Sequence, residues 1–307
     1  MTPMRPAPSS VAAVSQSLVE HDYLADTGLA TSIFLALRLG RPLLLEGEAG
    51  VGKTEVAKVL SRWTGGELLR LQCYEGIDVS QAVYEWDYSR QLLHLRAAEA
   101  VGEVGSDSQH LEDELYSERF LVRRPLLAAI DYGEAIPPVL LVDEIDRADD
   151  EFEAFLLEVL SDYSITVPEL GTFHANTPPI VVVTSNRTRD VHDALKRRCL
   201  YHWVEHPEFE REVKIVRLKA PEVSEKLARQ VAAATEKFRA MGLYKPPGVA
   251  ETIDWAQALT LIGDDELTED NVSATLGTVL KYREDQERAR GNEALPELVR
   301  LALSRGA

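Results

Sequence analysis

Cysteine is scarce in this 307-residue chain: Cys73 and Cys199 stand far apart and form no CxxC pair. That excludes a disulfide framework and makes a reducing setting the simpler expectation. Positive charge is also short. Lys and Arg number 33 against 51 Asp and Glu, a formal net charge of −18. A field of that sign repels phosphate backbones, so free DNA or RNA is not expected as the main partner. It equally disfavours anionic lipid held by charge alone. Long apolar runs are missing. The most apolar stretch, Ile33 to Leu39, is far too short to span a bilayer. No apolar core follows the opening MTPMRPAPSS, so no signal peptide is expected. These absences together predict a cytoplasmic protein.

What is present is ordinary for a globular chain. Apolar residues make up 45% and charged residues 27%, enough to build a core without covalent staples. The length suits roughly two domains. Residues 1–10 are rich in Pro and Ser and are expected to be loose. From Val11 to Leu39 apolar residues recur at helical spacing. Four short apolar runs then read as buried strands: Arg41-Pro42-Leu43-Leu44-Leu45-Glu46-Gly47, closed by glycine, then Leu68–Gln72, Val139–Val142 and Ile180–Thr184. Helical patterns follow the first and third, over Thr54–Trp63 and Glu151–Leu160. Alternating strands and helices predict a three-layer α/β domain with a mostly parallel sheet. From Glu208 the strand signals fade, and helical periodicity runs through 210–219, 223–241, 252–261 and 271–290. The expected organisation is an N-terminal segment 1–24, an α/β domain 25–206 and a smaller all-helical domain 207–307.

The first strand runs into Gly47-Glu48-Ala49-Gly50-Val51-Gly52-Lys53-Thr54, which fits GxxxxGK[ST] at every fixed position. The glycines let main chain wrap closely around phosphate, and the helix that follows turns its positive end toward the anion. Lys53 would reach the β- and γ-phosphates, and Thr54 would hold Mg²⁺. The run Val139–Val142 ends in Asp143-Glu144. Asp143 would bind Mg²⁺ at the carboxyl end of the sheet, where ligands gather in open α/β folds. Glu144 would polarise the attacking water, because hydrolysis needs a second, metal-free carboxylate. A helix cap with a first-turn acid is the plainer alternative for this pair.

The run from Ile180 ends at Asn186, whose amide could touch the γ-phosphate and the water, or simply make a strand-end turn. Lys196-Arg197-Arg198 follows. A guanidinium inserted at the γ-phosphate would stabilise transition-state charge, while three adjacent cations could also be a solvated patch.

In this order the motifs resemble the Walker A, Walker B, sensor 1 and arginine-finger series of AAA+ ATPases. Leu141-Val142-Asp143-Glu144-Ile145-Asp146-Arg147-Ala148 resembles the signature of the MoxR family, and the stretch through Leu156–Leu160 and Ile165–Val167 is similar to the approach to that family's hairpin before sensor 1. Glu75-Gly76-Ile77-Asp78, Tyr84-Glu85-Trp86-Asp87-Tyr88 and Glu251-Thr252-Ile253-Asp254-Trp255 resemble its CoxD branch. The likeness spans about residues 25–265. It implies ATP and Mg²⁺ as cofactors and a homo-oligomeric ring, commonly a hexamer, with ATP at the subunit interfaces. By alignment it implies Arg198 as the finger acting on a neighbour's nucleotide, with Arg197 as the rival. It implies a separate von Willebrand factor A-type partner, and a client metalloenzyme of the molybdenum hydroxylase or carbon monoxide dehydrogenase type. A peripheral place at the inner membrane through a partner is compatible with it. One position departs. Where the family's lid offers an arginine, the turn Gly248-Val249-Ala250-Glu251-Thr252 puts a threonine.

Three features stay open at this level. Tyr84, Trp86 and Tyr88 alternate, so a strand would show them on one face, either to grip a client polypeptide or to pack. Cys199, His202 and His206 have spacings faintly suggestive of a metal site, with ordinary packing as the alternative. Residues 97–118 carry seven acids and no Lys or Arg, as a solvated loop or a docking surface for a basic partner. The expected function is chaperone-like ATP-driven remodelling, with a nucleic-acid-linked motor or loader as the alternative.

Overall fold

The computed structural model describes residues 8–101, 113–291 and 294–306. The chain divides into two compact units. One comprises Met1–Val14, Thr27–Glu46 and Val56–His202. The other comprises Ser15–Asp26, Gly47–Glu55 and Trp203–Ala307.

The first unit is built on a sheet. Its strands are β1 (Leu43–Glu46), β2 (Leu68–Gln72), β3 (Tyr84–Trp86), β4 (Leu121–Arg123), β5 (Val139–Asp143), β6 (Ser164–Val167), β7 (Gly171–His174), β8 (Ile180–Ser185) and β9 (Leu200–Trp203). Five form the main sheet in the order β2-β5-β8-β1-β9. The pairs β2–β5, β5–β8 and β8–β1 are parallel. Both β1 and β5 are buried along their whole length, as their unbroken apolar sequence requires. Because the pairs are parallel, the polar tips fall on one edge: Gln72 is in register with Asp143, and Glu46 with Ser185. The predicted α/β architecture with a parallel sheet is therefore the fold.

Two antiparallel pairs, β3 with β4 and β6 with β7, stand apart from this sheet. β3 and β4 are too short for a period-two pattern to announce them. Trp86 is buried in the core of this unit, edge-on to Tyr84 and Tyr116. Tyr88 instead opens a helix, Tyr88–Val101, and is 67% exposed. The three aromatics do not form one exposed face, because the strand ends at Trp86 and period two ends with it. Half of the acidic 97–118 stretch, residues 102–112, lies outside the described residues.

The second unit carries the C-terminal helical region. Its helices are Phe209–Lys219, Glu225–Ala240, Val249–Ile262, Glu269–Val279, Arg283–Ala289 and Ala294–Gly306. They close on a core that contains Trp255 and Phe238, ring centroids 5.8 Å apart. The single helix expected over 271–290 is broken at Leu280–Tyr282, where the backbone turns extended. The break fits two burial demands. Leu280 is fully buried, and the carboxylate of Asp285 accepts the backbone N–H groups of Tyr244 and Lys245 at 2.8 and 3.0 Å. Among the described residues no helix is long and apolar enough to cross a membrane.

Candidate active site

The phosphate-type loop belongs to the second unit. Gly50 and Gly52 have φ of 81° and 94°, left-handed values that side chains with a Cβ rarely accept. The loop ends where the helix Lys53–Thr64 begins, so that helix presents its unpaired N–H groups there. Lys53 is only 5% exposed. Its ammonium donates to the carbonyls of Gly47 at 2.8 Å and Glu48 at 2.7 Å, so the loop curls around its own cation. The result is a concave main-chain cradle with a buried positive charge, chemistry suited to a polyphosphate. On the loop's flank His206 and Glu48 are 3.0 Å apart.

The carboxylates belong to the first unit. Asp143 is 3% exposed. Its Oδ1 accepts from the Thr184 hydroxyl at 2.6 Å, and its Oδ2 from Arg70, through Nη2 at 2.6 Å and Nε at 3.1 Å. A buried carboxylate so placed is already serving as a cation acceptor. Glu144 follows in the left-handed region, φ 56° and ψ 51°. For a residue with a side chain that conformation costs roughly 1–2 kcal/mol, and such strain concentrates where a side chain must be aimed. Its N–H donates to the Thr184 hydroxyl at 3.0 Å, which holds the turn. Its two carboxylate oxygens have different partners. Oε1 accepts the Asn186 amide at 3.1 Å, while Oε2 accepts Gln72 at 3.2 Å and pairs with Arg147 at 2.9 Å.

Asp146 is the hidden support of this arrangement. Buried, it accepts the backbone N–H groups of Asn186 at 3.1 Å and Thr188 at 2.9 Å, and the Thr188 hydroxyl at 2.7 Å. Burial alone would raise its pKa, but the bonds from Thr188 and Asn186 outweigh it and hold the carboxyl below its ordinary value. Sequence reasoning misses the roles of Asp146, Thr184, Arg70 and Gln72. Arg70 and Gln72 offer one available signal, two polar side chains at period two on an otherwise apolar strand.

The two candidate fingers differ. Arg198, though exposed, has its guanidinium bonded to the carbonyls of Leu160 and Ser161 in the last turn of the helix Asp150–Asp162. These are carbonyls that a helix end leaves without partners. Arg197 is exposed, and among the described residues its guanidinium makes no hydrogen bond or ion pair. Arg41 secures the backbone of both, donating to the carbonyl of Arg197 at 2.7 Å and of Arg198 at 2.9 Å.

No metal centre forms at Cys199. Its thiol is buried, and that burial pushes its pKa up to about 12. Among the described residues no cluster of three or more His, Cys, Asp and Glu is arranged to hold a metal ion. That leaves Mg²⁺ chemistry open, because Mg²⁺ beside phosphates takes only one or two protein carboxylates.

A parallel sheet of this strand order, a GxxxxGKT loop and an Asp-Glu tip define a P-loop nucleoside triphosphatase. More narrowly, the AAA domain family (dynein-related subfamily) matches residues 42–199, and the chain belongs to that family. It is an ATPase of the AAA class. The fold is similar to two structures of Thermotoga maritima RuvB. The first, a point mutant, has 16% identity over 87% of this chain and 69% of that one, with a TM-score of 0.48. The second, described as a Holliday junction branch migration motor, has 17% identity over 88% and 72%, with a TM-score of 0.47. A structure from Cytophaga hutchinsonii is similar over 95% of this chain and 96% of its own, at 12% identity and a TM-score of 0.45. No curated protein matches the chain.

Proposed function

We propose that this chain hydrolyses ATP with Mg²⁺ as a subunit of a homo-oligomeric ring, and that it uses the cycle to remodel a client protein. The observation that carries the hydrolytic part is Glu144. Its carboxylate is held on one oxygen by Asn186 and on the other by Gln72 and Arg147. It is aimed by a left-handed backbone, next to a buried Asp143. Glu144 is the base that orients and polarises water. Asn186 reports the state of that carboxylate through the amide bond. The cradle 47–54 binds the phosphates, and Lys53 exchanges its carbonyl partners for phosphate oxygens. Thr54 and Asp143 each carry a hard oxygen of the kind Mg²⁺ takes, and the ion would neutralise phosphate charge when bound.

The ring reading rests on Arg197. Among the described residues its exposed guanidinium has no intrachain partner, and Arg41 fixes its backbone, which suits action on a neighbouring subunit's nucleotide. Arg198 is employed within its own chain as a helix cap. We therefore assign the finger to Arg197, not to Arg198 as alignment implies. The sequence likeness to the MoxR family and its CoxD branch supports a metalloenzyme of the molybdenum hydroxylase type as client. The same likeness supports a von Willebrand factor A-type protein as partner. The net charge of −18 argues against a nucleic-acid motor.

The test is Mg²⁺-dependent ATPase against protein concentration. Specific activity that rises with concentration supports shared sites. Activity flat with concentration, with Arg197→Ala silent, removes the ring reading and leaves a single-chain ATPase.

A further inference from the structure

The turn 246–249, at the start of the helix Val249–Ile262, meets the phosphate-type loop main chain to main chain, with the Glu251 carboxylate also against Gly50, and both lie in the same compact unit. Val249 donates its N–H to the carbonyl of Gly50 at 2.9 Å. Gly248 lies so close that a Cβ there would stand 2.6 Å from the Cα of Gly50 and 2.9 Å from the carbonyl oxygen of Ala49. The dihedrals of Gly248, φ −83° and ψ −176°, are open to any residue. Glycine is required there by space, not by conformation.

A buried polar cluster stands behind the turn. Glu212, 1% exposed, receives both terminal nitrogens of Arg239 at 2.7 Å each and the hydroxyl of Thr252 at 2.8 Å. Arg239 spends its third nitrogen on the carbonyl of Pro247 at 2.8 Å, and Thr252 also reaches the carbonyl of Gly248 at 3.0 Å. Three helices therefore hold two successive carbonyls of one turn. A buried ion pair adds little net stability, since desolvation offsets its attraction, so its presence here points to positioning. Thr252 is the residue standing where the sequence departs from an arginine, and its hydroxyl faces Glu212.

We propose that Gly248 and the Arg239–Glu212–Thr252 cluster are nucleotide-positioning elements: they clamp the lid turn onto Gly50, so the lid sets the shape of the phosphate loop through main chain. Coupling between lid and nucleotide then needs no cation delivered to the γ-phosphate. The inference rests on residues 47–54 being the nucleotide cradle.

The experiment is binding of fluorescent ADP to the full chain, for wild type, Gly248→Ala, Thr252→Val and Thr252→Ser, with melting measured without nucleotide. Gly248→Ala, by its Cβ pressing on Gly50, and Thr252→Val, by losing the hydroxyl's hydrogen bonds, are each expected to weaken ADP about tenfold. Thr252→Ser, which keeps the hydroxyl, restores wild-type affinity. A purely structural cluster would lower the melting point of Thr252→Val and leave affinity unmoved, which overturns the clamp. Should Gly248→Ala not fold, Thr252→Val against Thr252→Ser decides alone. If the wild type itself binds no ADP, the cradle reading falls and the clamp with it. If it binds and both variants match it, the clamp alone is lost.

Discussion

The amide of Asn186, at the end of β8, donates to Oε1 of Glu144, at the end of β5, at 3.1 Å. The bond joins two tips that the strand order makes neighbours, and it leaves the direction of the Glu144 carboxylate dependent on Asn186. Replacing Asn186 with Ala should therefore lower kcat by about 10²-fold while nucleotide affinity stays near wild type. Glu144→Gln keeps the shape and removes the base, so it should bind ATP and turn it over at least about 10²-fold more slowly. Single-turnover hydrolysis beside nucleotide binding checks both. Loss of binding in either variant would mean that the pair builds the fold rather than the chemistry.

Arg197 and Arg198 should separate by the kind of damage. Arg198→Ala strips a charged donor from the carbonyls of Leu160 and Ser161, a loss of about 1.5–3 kcal/mol if the contact is well shielded, discounted here because the side chain is exposed. Its melting point should fall by a few degrees. Arg197→Ala should melt with the wild type and lose about 10³-fold in kcat. The reverse pattern would return the finger to Arg198.

Arg70 holds the carboxylate that Mg²⁺ is expected to use. Arg70→Met keeps the apolar stem on β2 and takes the guanidinium away from Oδ2 of Asp143. The Mg²⁺ concentration needed for half-maximal nucleotide binding should fall several-fold, as read by titrating the metal against a fluorescent nucleotide. An unchanged midpoint would mean that the guanidinium does not compete.

Asp146 carries a pH signature. Its folded pKa is depressed, so the stability it contributes is fully present above its unfolded pKa of about 3.9. That stability is lost as pH falls through the lower folded value. Melting points measured from pH 6 downward should drop steeply in acid for the wild type and less steeply for Asp146→Asn. Parallel curves would assign the acid sensitivity to other carboxylates.

The phosphate loop is legible in sequence because its chemistry is local. Glycines, a lysine and a hydroxyl at fixed spacing act within one turn of chain, and a buried strand before them reads as an apolar run. Asp143, Glu144 and Asn186 are legible for the same reason, each being the polar end of such a run. By contrast β3 and β4, three residues each, offer no period to read, and the break at Leu280–Tyr282 interrupts a stretch whose apolar spacing continues across it.

By itself, then, the sequence determined the class of protein, the spacing of the glycine-rich loop and the identity of the strand-end residues, since all of these depend on neighbours along the chain. Tertiary structure decided who supports them. Gln72 meets Glu144 across 72 positions of chain only because β2 lies beside β5. It gave two adjacent arginines different surroundings, because the helix Asp150–Asp162 offers carbonyls to Arg198. It also decided why residue 248 is glycine, since no local rule demands one at an extended backbone position. The demand comes from the main chain of Gly50, brought there by folding.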